Sequence, residues 1–297
     1  MAAQIDLSAA SAHITMKKPP IPPEEKNEVR PGQSTELLKE LHILTRDGKM
    51  NQDSRRKLKQ IYHLMQFIEP LLLDIQQQRP AIQLVDHGAG KSYLGFILYD
   101  LFFKNADPGS HVYGIERRTE LVDKSRHLAQ HLGFPGMSFL NLSVAESIGS
   151  AELPDKPDMV TALHACDTAT DDAIDFALKK QAEAIVLVPC CQAEIAALLR
   201  RNKQQMLGSP ISELWRHPLH TREFGSHVTN VLRCLQLEAH GYQVTVTELV
   251  GWEHSMKNEL IVARYKNLPR NRPAARLREM LRTLGLDELQ QRFYAPD

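Results

Sequence analysis

The chain has 297 residues, 42% of them apolar and only 6% aromatic, enough for one large α/β core with an aliphatic interior plus an appendage. Lys+Arg and Asp+Glu balance at 36 each, which excludes an overall polycation, and four cysteines with no CxxC pair argue against a disulfide framework or a zinc site. The balance is uneven: residues 16–60 hold 11 basic and 7 acidic groups and residues 264–297 hold 8 and 4, so a basic front and tail flank an acidic middle.

The first residues lack the positive and apolar regions of a secretory signal, and no stretch approaches the ~20 apolar residues of a membrane span. A soluble protein in a reducing, cytoplasmic compartment is expected. Residues 1–33 are Ala/Ser-rich and then Pro- and charge-rich, and read as a disordered arm. Residues 34–79 form a helical extension. Ser34 is an N-cap candidate ahead of Leu37, Leu38, Leu41 and Leu44. Leu58, Ile61, Met65, Ile68, Leu72 and Ile75 then recur at helical spacing, and Pro70 is expected to kink or interrupt the run.

From residue 80 short apolar runs alternate with helical patterns. Strands are expected near 81–86, 111–116, 137–140, 158–163 and 183–189, an alternation that argues for a parallel sheet covered on both faces. Residues 192–240 read as mostly helical with a break around Gly208–Pro210. Tyr242–Leu249 and Glu259–Tyr265 look like two strands, and the nine residues between them permit only an antiparallel pair. The expected fold is therefore α/β, a doubly wound, mostly parallel seven-stranded sheet of Rossmann-like type over residues 80–268, with a helical tail at 269–297.

Three ligands compete for Gly88-Ala-Gly90-Lys91-Ser92. A triphosphate loop needs a glycine where Val85 stands, inside the first strand. A dinucleotide fingerprint needs its third glycine where Tyr93 stands, and its acidic partner about 20 residues on, whereas Glu116 lies 28 beyond Gly88. S-adenosylmethionine (SAM) has no pyrophosphate and needs only a tight Gly-x-Gly turn, for which glycine suits because it accepts positive φ and carries no Cβ. Asp86 at the strand end, followed by His87, can organise that loop or meet the ammonium group. Glu116 can accept both ribose hydroxyls. The order strand, Asp-x-Gly-x-Gly, helix, strand, Glu selects SAM.

From Asp86 to Asn258 the sequence resembles a branch of the class I SAM-dependent methyltransferases. This branch includes the eukaryotic tRNA ribose 2′-O-methyltransferases acting at acceptor-stem position four, together with related methyltransferase-domain proteins. The resemblance rests on His164-Ala-Cys166-Asp167-Thr-Ala-Thr170-Asp171, Val188-Pro-Cys190-Cys191, and Glu253-His254-Ser-Met-Lys257-Asn258. The segment Arg55–Ile61 is similar as well. In place of the aspartate that often meets the adenine amino group stands Ser143, whose hydroxyl can accept that bond. The Cys-Cys-His-His continuation of the tRNA enzymes is absent, Gln192-Ala193 following instead, and so are amino-terminal zinc cysteines.

Ligands of open α/β sheets sit at strand C-termini, which brings His164 and Asp167 to the cofactor. His164 is a candidate base or a wall of the cofactor pocket, and Asp167 a candidate catalytic group at the same mouth. Thr170 and Asp171 read as caps of the next helix. Cys190 and Cys191 read as a substrate-facing lip, and Glu253, His254, Lys257 and Asn258 as a polar loop that grips substrate. No metal is expected. A macromolecular acceptor, RNA by the resemblance and the basic flanks, is the leading reading. A protein or small-molecule methyltransferase and a non-catalytic SAM-binding module remain open.

Overall fold

The computed structural model describes residues 29–163, 165–190, 192–202, 210–249 and 259–296. Within Pro31–Asp297 a seven-stranded sheet runs in the order β3-β2-β1-β4-β5-β7-β6. The strands are β1 (Gln83–His87), β2 (His111–Ile115), β3 (Met137–Leu140), β4 (Met159–Ala162), β5 (Ala184–Leu187), β6 (Tyr242–Glu248) and β7 (Glu259–Tyr265). β1 to β5 are parallel, and β7 is antiparallel to both β5 and β6. This is the strand order of the SAM-dependent methyltransferase fold, and every expected strand is present.

Helices α1 (Thr35–Glu40), α2 (Gln52–Gln78), α3 (Tyr93–Leu101), α4 (Thr119–His131), α5 (Val144–Ile148), α6 (Thr168–Lys179), α7 (Glu194–Arg201), α8 (Pro218–Ala239) and α9 (Asn271–Thr283) complete the described chain. Ser34 caps α1 as its position implies, its hydroxyl accepting from the Leu37 N–H. Gln33, at the end of the expected arm, is buried and accepts from the Tyr62 hydroxyl, and the N–H of Ser34, the first residue of the helical extension, donates to Asp100. Residues 1–28 lie outside the described residues.

Pro70 does not interrupt α2, which runs unbroken for 27 residues. The proline is on the exposed side, where water can reach the carbonyl whose intrahelical partner it removes. On the opposite side Leu58, Ile61, Leu64, Met65, Ile68, Leu72 and Ile75 are buried, each contributing on the order of 1.5–3 kcal/mol of apolar burial. The end of α2 is tied to the sheet. Arg79 reaches Asp158 and Glu183 at 2.5 Å each, and Asp74 pairs with Arg264 of β7.

One core lies between the sheet and α6 and α8, from Val85, Val160, Ile185, Ile174, Phe176 and Leu237. A second joins α7, α8 and α9 through Leu199, Leu232, Leu277 and Leu281, so the tail helix packs on the outside as its apolar spacing implies.

Candidate functional site

Side chains alternate across a strand, and at the end of β1 that alternation separates two neighbours. Val85 and His87 belong to the α6 side, where the His87 ring meets Phe176 edge-on at 4.5 Å. Asp86 points the other way, into a cavity of about 310 Å³. The wall includes Gly88 and Ala89, Tyr93 and Leu94 at the start of α3, Leu163 and Val188 beyond β4 and β5, and Leu249 after β6. Its roof comes from the extension: Lys57, Gln60, Ile61 and Leu64 of α2. The cavity opens at the carboxyl ends of β1, β4 and β5, where the order of strands reverses direction around β1.

Asp86 is buried, its Oδ1 accepting from the Thr161 hydroxyl on β4 at 2.6 Å. Burial pushes its carboxyl up to about 7, against the opposing effect of that hydrogen bond. A buried carboxylate of this kind gains from a cationic partner. His87 is completely buried with neither ring nitrogen hydrogen-bonded, and burial lowers its pKa to about 3. The ring is a neutral wall behind the strand. His87 thus does not face the cavity, because the strand period turns it to the other side.

The turn after β1 is built as its glycines imply. Gly88 and Gly90 have φ of +65° and +59°. A Cβ on Gly88 would lie 3.1 Å from the Ala165 backbone nitrogen, so a side chain there would require the loop after β4 to give by a few tenths of an ångström. The Ala89 N–H donates to Ile115, and the Gly90 N–H donates to Glu116 Oε2 at 2.9 Å, which joins the turn to the end of β2. Glu116 also accepts from the Arg118 N–H, Nε and Nη2 at 3.0, 3.0 and 3.1 Å. Burial pushes the Glu116 pKa up, but the bonds and charge of Arg118 and the Gly90 amide outweigh it and hold the group below the usual range. Arg118 was not legible as part of this site, since a charged residue two beyond a strand end is ordinary surface composition.

Ser143 is the N-cap of α5 in a reciprocal capping box with Glu146. Its hydroxyl donates to Glu146 Oε2 at 2.6 Å and accepts from the Glu146 N–H. This end of β3 is therefore held locally by its own residues.

The loop after β4 departs from expectation. Asp167 has φ +52° and ψ −121° immediately before α6, so Thr170 and Asp171 lie in the first turn of the helix and do not cap it. Thr170 donates to the Ala165 carbonyl. Asp171 is buried and takes a two-pronged ion pair from Arg233 of α8. Arg233 also donates to the Asp167 carbonyl at 2.9 Å, and Asp167 Oδ1 accepts from the Ala193 N–H at 3.1 Å. Asp167 is thus held between the loops after β4 and β5. Arg233 lies 62 positions from Asp171, in a segment whose apolar spacing marks only a helix.

Cys190 lies beyond the end of β5, beside Cys166 in an isolated parallel bridge, with the two sulfurs 3.2 Å apart. His164, Cys191, Glu253, His254, Lys257 and Asn258 lie outside the described residues. Among the described residues no cluster of three His, Cys, Asp or Glu side chains is placed to hold a metal, and no helix is long and apolar enough to cross a membrane.

A family model described as a methyltransferase domain matches residues 56–198, from the roof helix to α7. Over those residues the chain is similar to a methyltransferase domain. The residues around the cavity fit SAM as a cofactor: a glycine turn at positive φ, a buried carboxylate facing the cavity, and an acidic residue directly after β2. The chain is also 25% identical over 245 residues to a glutathione S-transferase C-terminal domain-containing protein of Bos taurus, covering 74% of this chain and 35% of that protein. It therefore spans about a third of the length of that relative. Among solved structures, magnesium protoporphyrin IX methyltransferase of Synechocystis PCC 6803 with bound SAH aligns at 15% identity and a TM-score of 0.40, covering 77% of this chain and 94% of that one. A fibrillarin/Nop5p complex aligns at 12% identity and a TM-score of 0.40, covering 63% and 74%.

Proposed function

We propose that the chain transfers a methyl group from SAM to a macromolecular acceptor, with RNA the favoured class. The observation that carries the reading is the geometry around the β1 turn: Asp86 faces the cavity, Gly88 and Gly90 hold the turn, and Glu116 grips it from β2. In this reading Asp86 meets the cofactor's ammonium group and Glu116 its ribose. SAM supplies an electrophilic methyl carbon, and the protein's task is to place the acceptor in line with it. Leu163 and Val188, at the ends of β4 and β5, are where that acceptor would arrive. His164 is the candidate base, while Asp167, bonded to Ala193 and to Arg233, shapes the same loop. Ser143, Cys190, Cys191, Glu253, His254, Lys257 and Asn258 complete the proposed cofactor and acceptor surfaces.

RNA is favoured by the basic face of α2, where Arg55, Arg56, Lys57 and Lys59 are exposed beside the roof of the cavity. The apolar lining of Ile61, Leu64, Leu94, Leu163, Val188 and Leu249 favours a second reading, a small apolar acceptor. A soluble, cytoplasmic setting accords with either.

Calorimetry on the purified chain is expected to show SAM binding, weakened at least tenfold in Glu116→Gln. Arg118→Ala should retain binding or tighten it, since Arg118 occupies the carboxylate oxygens that the ribose needs. Failure of SAM to bind wild type would refute the cofactor assignment. For the acceptor, tritiated SAM and an extract from cells lacking the gene should label a discrete RNA. Label confined to protein or to small molecules would exclude RNA.

A further inference from the structure

Beyond the last ladder residues of β4 and β5, Cys166 and Cys190 form an isolated parallel bridge. The Asp167 N–H still donates to the Cys190 carbonyl at 3.2 Å, so the two backbones remain laterally fixed there. Neighbouring strands stand roughly 4.8 Å apart, inside the Cα separation that a disulfide spans. The sulfurs are already 3.2 Å apart, within van der Waals contact and not bonded. The Cys166 residue is exposed and Cys190 half-buried. Both stand just beyond Leu163 and Val188, which line the cavity.

We infer that Cys166 and Cys190 are a reversible dithiol–disulfide couple, a modification site that reacts with hydroperoxides and ties the loop after β4 to the loop after β5. The Cys166 thiolate, as the exposed member, attacks the peroxide. A sulfur–oxygen bond forms, the oxygen–oxygen bond breaks, and the leaving oxygen departs as alcohol or water after taking a proton. Cys190 then attacks the resulting sulfenic sulfur. The sulfur–sulfur bond forms, the sulfur–oxygen bond breaks, and the hydroxyl leaves as water. Two thiols are thereby oxidised by two electrons and one peroxide is reduced. In a reducing compartment disulfides of this kind are transient and thiols restore them, which suits a pair that is not bonded at rest. The bridge closes a loop over 24 positions that includes α6 and β5, and it fixes the loop after β4 to the loop after β5. Its chemistry does not depend on what the cavity binds.

The test is peptide mapping of the full-length chain after treatment with hydrogen peroxide, with and without later dithiothreitol. A linked peptide joining Cys166 to Cys190 is expected, and dithiothreitol should abolish it. In Cys190→Ser the sulfenic acid on Cys166 has no resolving thiol, so dimedone should label Cys166 there and leave wild type almost unlabelled. Cys191→Ser should keep the Cys166–Cys190 link. Circular dichroism of each variant separates a change in thiol chemistry from loss of the fold. Absence of the link in folded wild type whose thiols have been consumed overturns the inference, and so does a link that maps to Cys191 in place of Cys190.

Discussion

Arg233 of α8 holds Asp171 of α6 through Nε at 2.6 Å and Nη2 at 3.0 Å, and neither side chain is more than 3% exposed. A pair so thoroughly removed from water is tolerable because the remaining donors are engaged too: Arg233 reaches the Asp167 carbonyl and Asn230 Oδ1. Removing one partner leaves the other charged and unpaired. Arg233→Met should therefore destabilise the chain by about 3–5 kcal/mol, read from urea denaturation. The double variant Arg233→Met/Asp171→Leu should recover part of that loss, because no lone charge is left. If the double variant is as unstable as the single one, the loss comes from packing and not from an orphaned carboxylate.

The two glycines of the β1 turn should differ in sensitivity. Gly88→Ala meets both a positive φ and the backbone of Ala165 at 3.1 and 3.2 Å, for a cost of about 2–3 kcal/mol. At Gly90 the nearest atom is 3.8 Å away, so Gly90→Ala should lose only about 1 kcal/mol to its backbone angle. Thermal melts of the two variants side by side read the difference; equal losses would mean that the Ala165 loop yields freely.

Asp86 and His87, adjacent in sequence, should give the fold opposite responses to pH. The folded pKa of Asp86 lies near 7, above its ordinary 3.8, so its stabilising effect is complete at low pH and is lost as pH rises through that interval. The folded pKa of His87 is near 3, below its ordinary 6.5, so the fold loses stability as pH falls from about 6.5 toward 3, at up to about 1.4 kcal/mol per pH unit. Between roughly pH 4 and 6.5 the two slopes offset each other. In Asp86→Asn stability should climb with pH over that range, and in His87→Leu it should fall. Denaturation midpoints at half-unit pH steps read both slopes, and two variants with the same sign of slope would contradict the assignment.

A cation bound at Asp86 favours the ionised carboxylate, so SAM binding near pH 6.5 should release a proton. Titrations in two buffers of different ionisation enthalpy should give different heats for wild type and equal heats for Asp86→Asn. Equal heats for wild type would mean that Asp86 does not change charge on binding.

Strand periods, caps and the antiparallel end of the sheet were legible because each depends on a few neighbouring residues. The run Leu84–Asp86 followed by Gly-x-Gly fixes a strand and a turn, and Glu116 follows a second strand by the same local logic. His87 was misplaced because a motif read as a string ignores the face to which each side chain turns. Asp171 looked like a cap because Thr and Asp before an apolar pair usually are; its partner Arg233 came from a distant helix and left no local trace. The chemistry of proline predicts a kink or break at Pro70, whereas its tolerance within α2 rests on exposure, a tertiary property. Lys57 and Gln60 were missed for a related reason: they occupy the polar side of an amphipathic helix, and only docking turns part of that side toward the cavity.

The roof supplied by α2 has a consequence for how the protein comes into being. The lining of the cavity runs from Lys57 to Leu249, so no product of synthesis that stops short of Leu249 possesses all of it. A chain emerging from the ribosome can form β1 and its glycine turn early, yet it holds only an open shelf until β6 has been made and placed. A complete cavity is therefore reserved for chains made at least as far as Leu249.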